Sequence, residues 1–329
     1  MSVFSYLKDW KKLKTRVYID GYNLYYGCLK NTPYKWLDLK ALFVNHVLPS
    51  VYHENSHPQL LPQGVKFFTA KIVEKAALGT NSTKDQQTYH NALKKHLGDG
   101  LCLYEGYYAI NKVHAFQVQG NNLPRDCDRV EIWKLEEKQS DVNLATEALF
   151  DSVVEQELEQ IVYVSNDTDI AASMIKVREY NSVRLSKGWN SIRIGLVIPT
   201  KSSESNDDEA RRANKTLSDL ADWTVKCITR DWLEKSQLPH KVPNGRRPAL
   251  IPISWHPESE IFKLIMLELG KVHKLSESWQ WLEQTKPYVD GLMDLTSTTP
   301  LEALCTSDGA VGVYEHAKAY ISWKLSLPE

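Results

Sequence analysis

Short apolar runs alternate with amphipathic segments over the first two thirds of the chain. Six runs are rich in β-branched and aromatic residues, as buried strands are: 16–20, 65–72, 101–110, 161–165, 192–198 and 223–228. The segments between them repeat apolar residues every three or four positions, the spacing of amphipathic helices. This alternation predicts an α/β fold, an open and mostly parallel sheet with helices on both faces.

The pattern changes after residue 232. Residues 233–255 are rich in proline and include an Arg pair, which is typical of a linker. Residues 256–329 show amphipathic helices without an obvious strand between them. The sequence therefore predicts a domain over residues 1–232, a proline-rich linker over 233–255, and a helical interaction or capping domain over 256–329.

Composition and charge exclude several classes of protein. Apolar residues make up 42% of the chain and charged residues 25%, as in a globular protein. No apolar run approaches the roughly 20 residues that span a bilayer, and the N-terminal stretch lacks the features of a secretion signal. The five cysteines show neither a CxxC pair nor zinc-ligand spacing. We therefore expect a reduced, cytoplasmic protein with no membrane partner.

Four aspartates lie where an open α/β sheet collects its functional residues, beyond the carboxyl ends of its strands. Asp20 ends the first strand, Asp141 opens the helix before the fourth strand, and Asp167 and Asp169 follow that strand. Taken singly, each aspartate also suits a helix cap or a turn. Gathered together, ionised carboxylates repel one another unless a cation lies among them. Carboxylates without His or Cys suit Mg²⁺ or Mn²⁺, so the sequence predicts such a site.

Four segments resemble the successive motifs of the NYN group of PIN-like nucleases, in its LabA-like branch. They are "VYIDGYNLYYG", "EEKQSDVNLATEALFD", "IVYVSNDTDIAASM" and "IGLVIP", and they span roughly residues 16–230. The resemblance implies a PIN-like, doubly wound fold and a metal-dependent endoribonuclease with Mg²⁺ or Mn²⁺ as cofactor. It implies catalytic and metal-binding roles for Asp20, Asp141, Asp167 and Asp169, and a polar contact near the metal for Asn23.

Residues that could bind substrate are suggested by the resemblance, for Lys138, and by their position, for Tyr22, Arg125 and Arg129. A lysine often precedes the helix aspartate in this group, and Lys138 matches it, although Gln139 follows where glycine is common. Tyr22 follows the first strand and could stack on an unpaired base, or pack in the core instead. Arg125 and Arg129 precede Lys138 and are further candidates for contacts with the substrate backbone.

The stretch 110–137 is longer than most connections between strands and helices in α/β proteins. Part of it, "DRVEIWKLEE", alternates apolar and polar residues, which is typical of a half-buried strand. Two interpretations stay open from the sequence, namely a hairpin that faces the substrate and an ornament specific to the family.

The C-terminal segment "TPLEALCTSDGAVGVYEHAKAYI" faintly resembles the toxin-binding segment of Xre/MbcA/ParS-type antitoxins. This resemblance implies a protein partner, or self-association, through residues 256–329 in a toxin or defence setting. A small helical domain that merely covers the catalytic domain is the open alternative.

The leading functional hypothesis is hydrolysis of RNA phosphodiester bonds, with tRNA or another structured RNA as partner. One alternative is a catalytically silent PIN-like module that binds RNA or protein. Another is a DNA-cleaving nuclease with the same site, because fold does not determine function. The complete set of carboxylates favours an active enzyme over a silent module.

Overall fold

A computed structural model describes residues 11–51, 56–77, 81–201, 213–245, 247–272, 279, 282, 291–293 and 300–327. Within these ranges, seven strands form one sheet in the order β4-β3-β2-β1-β5-β6-β7. The strands are β1 (Lys11–Asp20), β2 (Ser56–Ala70), β3 (Leu101–Phe116), β4 (Arg129–Lys138), β5 (Gln160–Val164), β6 (Arg193–Val197) and β7 (Trp223–Val225). A separate two-stranded ribbon pairs β8 (Lys241–Val242) with β9 (Ala249–Leu250).

The sheet is parallel except at one edge, where β4 runs antiparallel to β3. Strand order reverses at β1, because β2 and β3 extend to one side while β5, β6 and β7 extend to the other. Such a reversal opens a crevice at the carboxyl ends of the two strands beside it, here β1 and β5. The predicted α/β class, with a mostly parallel sheet and helices, is confirmed.

Helices connect these strands and follow the sheet. They are α1 (Gly21–Leu24), α2 (Leu39–Ala41), α3 (Ser82–Leu97), α4 (Ser140–Val154), α5 (Ala171–Ser186), α6 (Lys215–Leu220), α7 (Arg230–Lys235), α8 (Ser259–Leu269), α9 (Pro300–Ala303) and α10 (Ser307–Ser326). α1 and α2 each continue into a π-helical stretch, Tyr25–Leu29 and Leu42–Val47 respectively. None of the helices described is long and apolar enough to cross a membrane.

The stretch 110–137 forms a hairpin. Its predicted contact with the substrate is not tested by this pairing and stays a prediction. β3 pairs with β4 from Tyr107 opposite Lys138 to Phe116 opposite Arg129. Strand β3 extends six residues beyond its predicted end, and β4 is the edge strand of the sheet. Strand β4 ends at Lys138 and α4 begins two residues later, at Ser140, so the hairpin leads directly into this helix.

The apolar core on one side of the sheet continues into the C-terminal helices. Val17 of β1, Phe262 of α8 and Tyr320 of α10 belong to one cluster of buried side chains. The indole of Trp36 donates a hydrogen bond to the carbonyl of Pro239 at 2.9 Å, inside the predicted linker. No comparison tests the division at residues 232 and 256, and it stays a prediction.

A buried carboxylate holds α4 against the two central strands. Asp151, almost fully buried, accepts ion pairs from Arg16 of β1 at 3.0 Å and from Lys66 of β2 at 2.7 Å. The hydroxyl of Tyr18 also donates to Asp151. A buried charge is tolerated only when such partners surround it. The position of α4 therefore depends on this cluster.

A second buried charge fixes the end of α4. The guanidinium of Arg184, in α5, is fully buried and donates to the carbonyls of Ser152 at 2.7 Å and Glu155 at 3.0 Å. It also donates to the carbonyls of Gln156 and Leu158, beyond the helix. The last carbonyls of a helix lack partners within the helix. Arg184 donates hydrogen bonds to these carbonyls, and its positive charge interacts favourably with the negative end of the helix dipole.

We predict that Asp151→Asn lowers the free energy of unfolding by about 3–5 kcal/mol, because it leaves two buried cations without their common anion. Urea unfolding monitored by circular dichroism measures the loss. Glu155→Gln is the matched control, since Glu155 meets Arg16 at 3.3 Å from a partly exposed position, and its loss should stay below about 1 kcal/mol. Equal losses in the two variants would contradict this account of α4.

Candidate functional site

Asp20 lies at the end of β1, where the strand order reverses. Its carboxylate accepts hydrogen bonds from the Asn23 amide N–H at 2.9 Å and from the Ser165 hydroxyl at 2.8 Å. The side-chain amide of Asn23 donates to the same carboxylate. Burial raises the pKa of Asp20, Asp167 raises it further, and the bonds from Asn23 and Ser165 oppose the rise. Asp20 is thus a carboxylate fixed in one orientation.

Ser165 connects Asp20 to the next strand end. Its hydroxyl oxygen accepts the backbone N–H of Asp167 at 3.0 Å while the hydroxyl donates to Asp20. The Asp167 carboxylate in turn accepts the backbone N–H of Asp169 at 3.0 Å. One carboxylate oxygen from each of Asp141, Asp167 and Asp169 lies within 4.8 Å of the others. The structure therefore brings the four predicted aspartates and Asn23 to one crevice.

Mutual repulsion changes the protonation of this cluster. Burial raises the pKa of Asp141 to about 7, with further contributions from Asp20 and Asp167. Glu137, at the end of β4, also contributes, and its own pKa is raised by burial and by Asp20. Sequence reasoning missed Glu137, although "DRVEIWKLEE" would have placed it here once the hairpin was chosen. A carboxyl group that titrates near neutral pH is suited to move a proton.

The predicted substrate-binding residues do not all lie at this crevice. Tyr22 packs against Tyr26, with ring centroids 4.4 Å apart, and stands beside the cluster. Lys138 is three residues from Asp141 and pairs with Glu136 at 2.9 Å. Arg125 and Arg129 are exposed at the far end of the hairpin, about 30 Å along β4 from Lys138 at roughly 3.4 Å per residue. Their predicted role in binding has no support from this placement.

A cleft of about 490 Å³ opens beside the acidic cluster, and sequence reasoning missed it. It lies between α1, the end of β2, α3, the hairpin and the turn before α8. Aromatic side chains form much of its wall: Tyr22, Tyr25, Tyr26, Phe67, Tyr89, Tyr108 and Trp255. These residues come from distant parts of the chain, and Trp255 lies in the predicted linker. No spacing in the sequence indicates that they meet.

Charged side chains of both signs line the cleft. Gly21 and Glu137 line it next to the acidic cluster, while Lys30, Lys35 and Asp85 line it elsewhere. Most of the other polar side chains that line the cleft come from α3. One of them, the Gln86 side-chain amide, donates a hydrogen bond to the Ala70 carbonyl at the end of β2, at 2.9 Å. The cleft can therefore hold a flat ring between aromatic side chains and orient a ligand by its charge.

We predict that Asp141→Asn raises the melting temperature at pH 8 in a buffer with EDTA. The folded pKa of Asp141, about 7, exceeds its unfolded value of 3.8. The contribution of protonated Asp141 to the free energy of unfolding is therefore fully present below pH 3.8 and is lost as the pH rises through 7. The gain of the variant should shrink toward pH 4, as differential scanning fluorimetry across pH would show.

Asp219→Asn is the control for that measurement, because Asp219 is an exposed aspartate of α6 that is not among the groups that raise the pKa of Asp141. It should leave the melting temperature almost unchanged at both pH values. A melting temperature of Asp141→Asn equal to that of the wild type at pH 8 would show that Asp141 carries no electrostatic strain.

Comparison with known proteins gives one relative of nearly full length. The chain is 39% identical over 331 aligned residues to "6-hydroxy-3-succinoylpyridine 3-monooxygenase HspA" of Pseudomonas putida, covering 97% of this chain and 98% of that protein. A solved structure of a protein of unknown function from Vibrio parahaemolyticus aligns at 16% identity and a TM-score of 0.34, over 67% of this chain and 95% of that one. No family model matches the chain.

The first comparison overturns the predicted function. The relative is a monooxygenase and not an NYN nuclease, so the resemblance drawn from the four segments is wrong as a statement of family. The predicted endoribonuclease, its toxin or defence setting, and both alternatives, the silent binding module and the DNA-cleaving nuclease, are wrong for the same reason. The relative is an enzyme, but its class is not that of the predicted metal-dependent nuclease.

The predicted cofactor is also wrong. A monooxygenase reaction with O₂ draws electrons through a redox-active group such as a flavin, haem, copper or non-haem iron, which is not the role of a hydrolytic Mg²⁺ or Mn²⁺ centre. No comparison tests the choice of Asp20, Asn23, Asp141, Asp167 and Asp169 as site residues, and it stays a prediction. The same holds for RNA as partner, for a protein partner of residues 256–329 and for the cytoplasm.

The alignment extends over 97% of this chain and 98% of that protein. This chain belongs to the family of the 6-hydroxy-3-succinoylpyridine 3-monooxygenase of Pseudomonas putida.

Proposed function

We propose that this chain is a monooxygenase that acts on a hydroxylated pyridine with an acyl side chain ending in a carboxylate. The observation that carries the proposal is the 39% identity over 97% of the chain to 6-hydroxy-3-succinoylpyridine 3-monooxygenase. The name of that relative gives the substrate class, a 6-hydroxypyridine with a succinoyl group at ring position 3.

The cleft beside the acidic cluster supports this proposal. Its volume of about 490 Å³ falls within the range of roughly 300–1,000 Å³ that small-molecule sites occupy. Its aromatic wall suits a planar heteroaromatic ring. The strand order, which reverses at β1, supports a doubly wound sheet as the frame of this site.

The acidic cluster is the proposed proton-handling end of the site. A hydroxypyridine has an ionisable ring hydroxyl, and removal of its proton makes the ring more electron-rich and easier to oxygenate. Asp141, whose pKa is about 7, can exchange a proton with such a group near neutral pH. Asp20, fixed by Asn23 and Ser165, keeps the charge beside Asp141 in place. Tyr22 stands where the cluster meets the aromatic wall.

The reaction also needs two electrons. One atom of O₂ enters the substrate, and the other leaves as water after taking up two electrons and two protons. A flavin, haem, copper or non-haem iron commonly mediates such chemistry. Each of these groups needs particular protein atoms to hold it.

The end of β1 does not fit the phosphates of a dinucleotide cofactor. The Rossmann fingerprint G-x-G-x-x-G, which lets a pyrophosphate approach a helix N-terminus, does not occur in the sequence. The first strand leads instead into Asp20, whose carboxylate occupies the start of α1 by accepting the Asn23 N–H. An anionic pyrophosphate would meet this carboxylate and that of Asp167. No step of the reaction is therefore assigned to a dinucleotide at this position.

The metal-binding groups do not fit haem or copper either. In the described part of the chain, one cluster offers three metal-binding side chains, Asp141, Asp167 and Asp169, and all are carboxylates. Haem and copper sites draw on His, Cys or Met. No step of the reaction is therefore assigned to haem or copper at this cluster, and the assay supplies the reductant and the flavin.

We predict that the purified chain converts 6-hydroxy-3-succinoylpyridine in the presence of O₂ and a reductant, either NADH alone, NADH with FAD, or reduced FMN. With ¹⁸O₂, mass spectrometry should find one ¹⁸O atom in the product, because a monooxygenase transfers one of the two. Heat-treated protein is the control. No loss of substrate with any of the three reductants, or oxygen derived from water, would refute the proposed function.

A further inference from the structure

Lys35 is a half-buried cation in the cleft. Its ammonium lies 5.9 Å from the centre of the Trp255 ring. No ion pair within 4.0 Å joins Lys35 to any acid of the described residues, in contrast to the buried Lys66, which has carboxylate partners at 2.8 and 2.7 Å. A half-buried ammonium without an anion loses hydration and gains little in return. The bound state of this cleft is therefore expected to include an anion.

Among the acids, Asp85 has the largest electrostatic effect on Lys35, but the two side chains do not form an ion pair within 4.0 Å. Burial lowers the pKa of Lys35, and the field of Asp85 opposes this fall. The Asp85 carboxylate accepts a hydrogen bond from the Ser254 hydroxyl, next to Trp255. Asp85 thus stabilises the charged form of Lys35 from a distance and leaves the ammonium able to donate to a ligand.

We propose that Lys35 binds the carboxylate of the substrate, and that the cleft takes aromatic rings carrying a short, anionic acyl side chain. The proposal rests on the proposed function for the nature of the ring. The carboxylate end of such a ligand would lie at Lys35 in the aromatic wall, and the ring would lie toward the acidic cluster beside the cleft.

The charge difference within the cleft gives the ligand one orientation. A carboxylate placed near Glu137 would be repelled, whereas the Lys35 ammonium can donate a charge-assisted hydrogen bond to it. Asp85 lies on the same side of the cleft as Lys35, and its carboxylate already accepts the Ser254 hydroxyl. The ring then points toward the acidic cluster. Lys35 is in this view a residue that determines specificity and position, and it does not take part in the oxygen transfer.

Lys30 offers a matched control from the same cleft. It is an exposed cation that lies 4.7 Å from the centre of the Tyr26 ring. Because water already solvates its ammonium, an anion gains little by binding there. Loss of the Lys30 charge should therefore change the affinity for an anionic substrate by less than about 2-fold.

Steady-state kinetics test the proposal on two substrates, 6-hydroxy-3-succinoylpyridine and 3-acetyl-6-hydroxypyridine, which lacks the carboxylate. Lys35→Met should raise KM for the first by about 10- to 100-fold with little change in kcat, because it removes a hydrogen bond to a charged group. KM for the second should not change. Lys35→Arg should restore most of the loss, and Lys30→Met should resemble the wild type.

A binding measurement separates this inference from the proposed function. Quenching of tryptophan fluorescence by 4-oxo-4-phenylbutanoate, which has the side chain but not the reactive ring, needs no turnover. If the wild type binds this compound and Lys35→Met binds it at least 10-fold more weakly, the inference holds even when no oxygenation is found. If oxygenation is found but Lys35→Met keeps the wild-type KM and affinity, or Lys30→Met loses as much, the inference is wrong.

Discussion

The buried carboxylate of Asp151 is the interaction on which the rest of the structure depends. It neutralises Arg16 on β1 and Lys66 on β2, and so locks α4 across the two strands at the middle of the sheet. Arg184 binds the last carbonyls of the same helix, at the end where Asp151 also lies. Because α4 begins with Ser140 and Asp141, these internal charges decide where Asp141 stands. The geometry of the acidic cluster is thus set by groups ten or more residues away from it.

The sequence predicts the frame of this site well, for a physical reason. In parallel sheets buried on both faces, strands are continuous apolar runs that stand out from amphipathic helices. A carboxylate at the end of such a run, as at Asp20 or Asp167, must lie at the carboxyl edge of the sheet. Asp20, Asp167 and Asp169 could therefore be brought together from the strand ends, whereas Asp141 opens α4, which the return of β4 positions. The sequence analysis missed Glu137 because its strand is exposed and alternates apolar with polar residues. Its position depends on the pairing of a hairpin that the sequence pattern left open.

The cleft could not be found in this way. Its wall combines Tyr22 from α1, Tyr89 from α3 and Trp255 from a turn near α8. Tyr22 lies in a quoted motif and was a candidate for binding substrate, but no pattern relates it to Tyr89 or Trp255. Their meeting depends on how the C-terminal part packs on the sheet, through contacts such as that of Trp36 with Pro239. Tertiary packing of this kind leaves no local signal. The residues that recognise a ligand are thus less visible in a sequence than those that end a strand.

The error about function has the same origin. Motifs at strand ends report topology and the position of acids, and both are shared by proteins with unrelated chemistry. Gathered carboxylates have two ways to relieve their repulsion, by holding a cation or by keeping a proton. The nuclease interpretation assumed the first, whereas a carboxyl group with a pKa of about 7 at Asp141 shows that the second is open to this chain. Reaction class must therefore be inferred from the cleft and its ligand, because the acids alone are compatible with both.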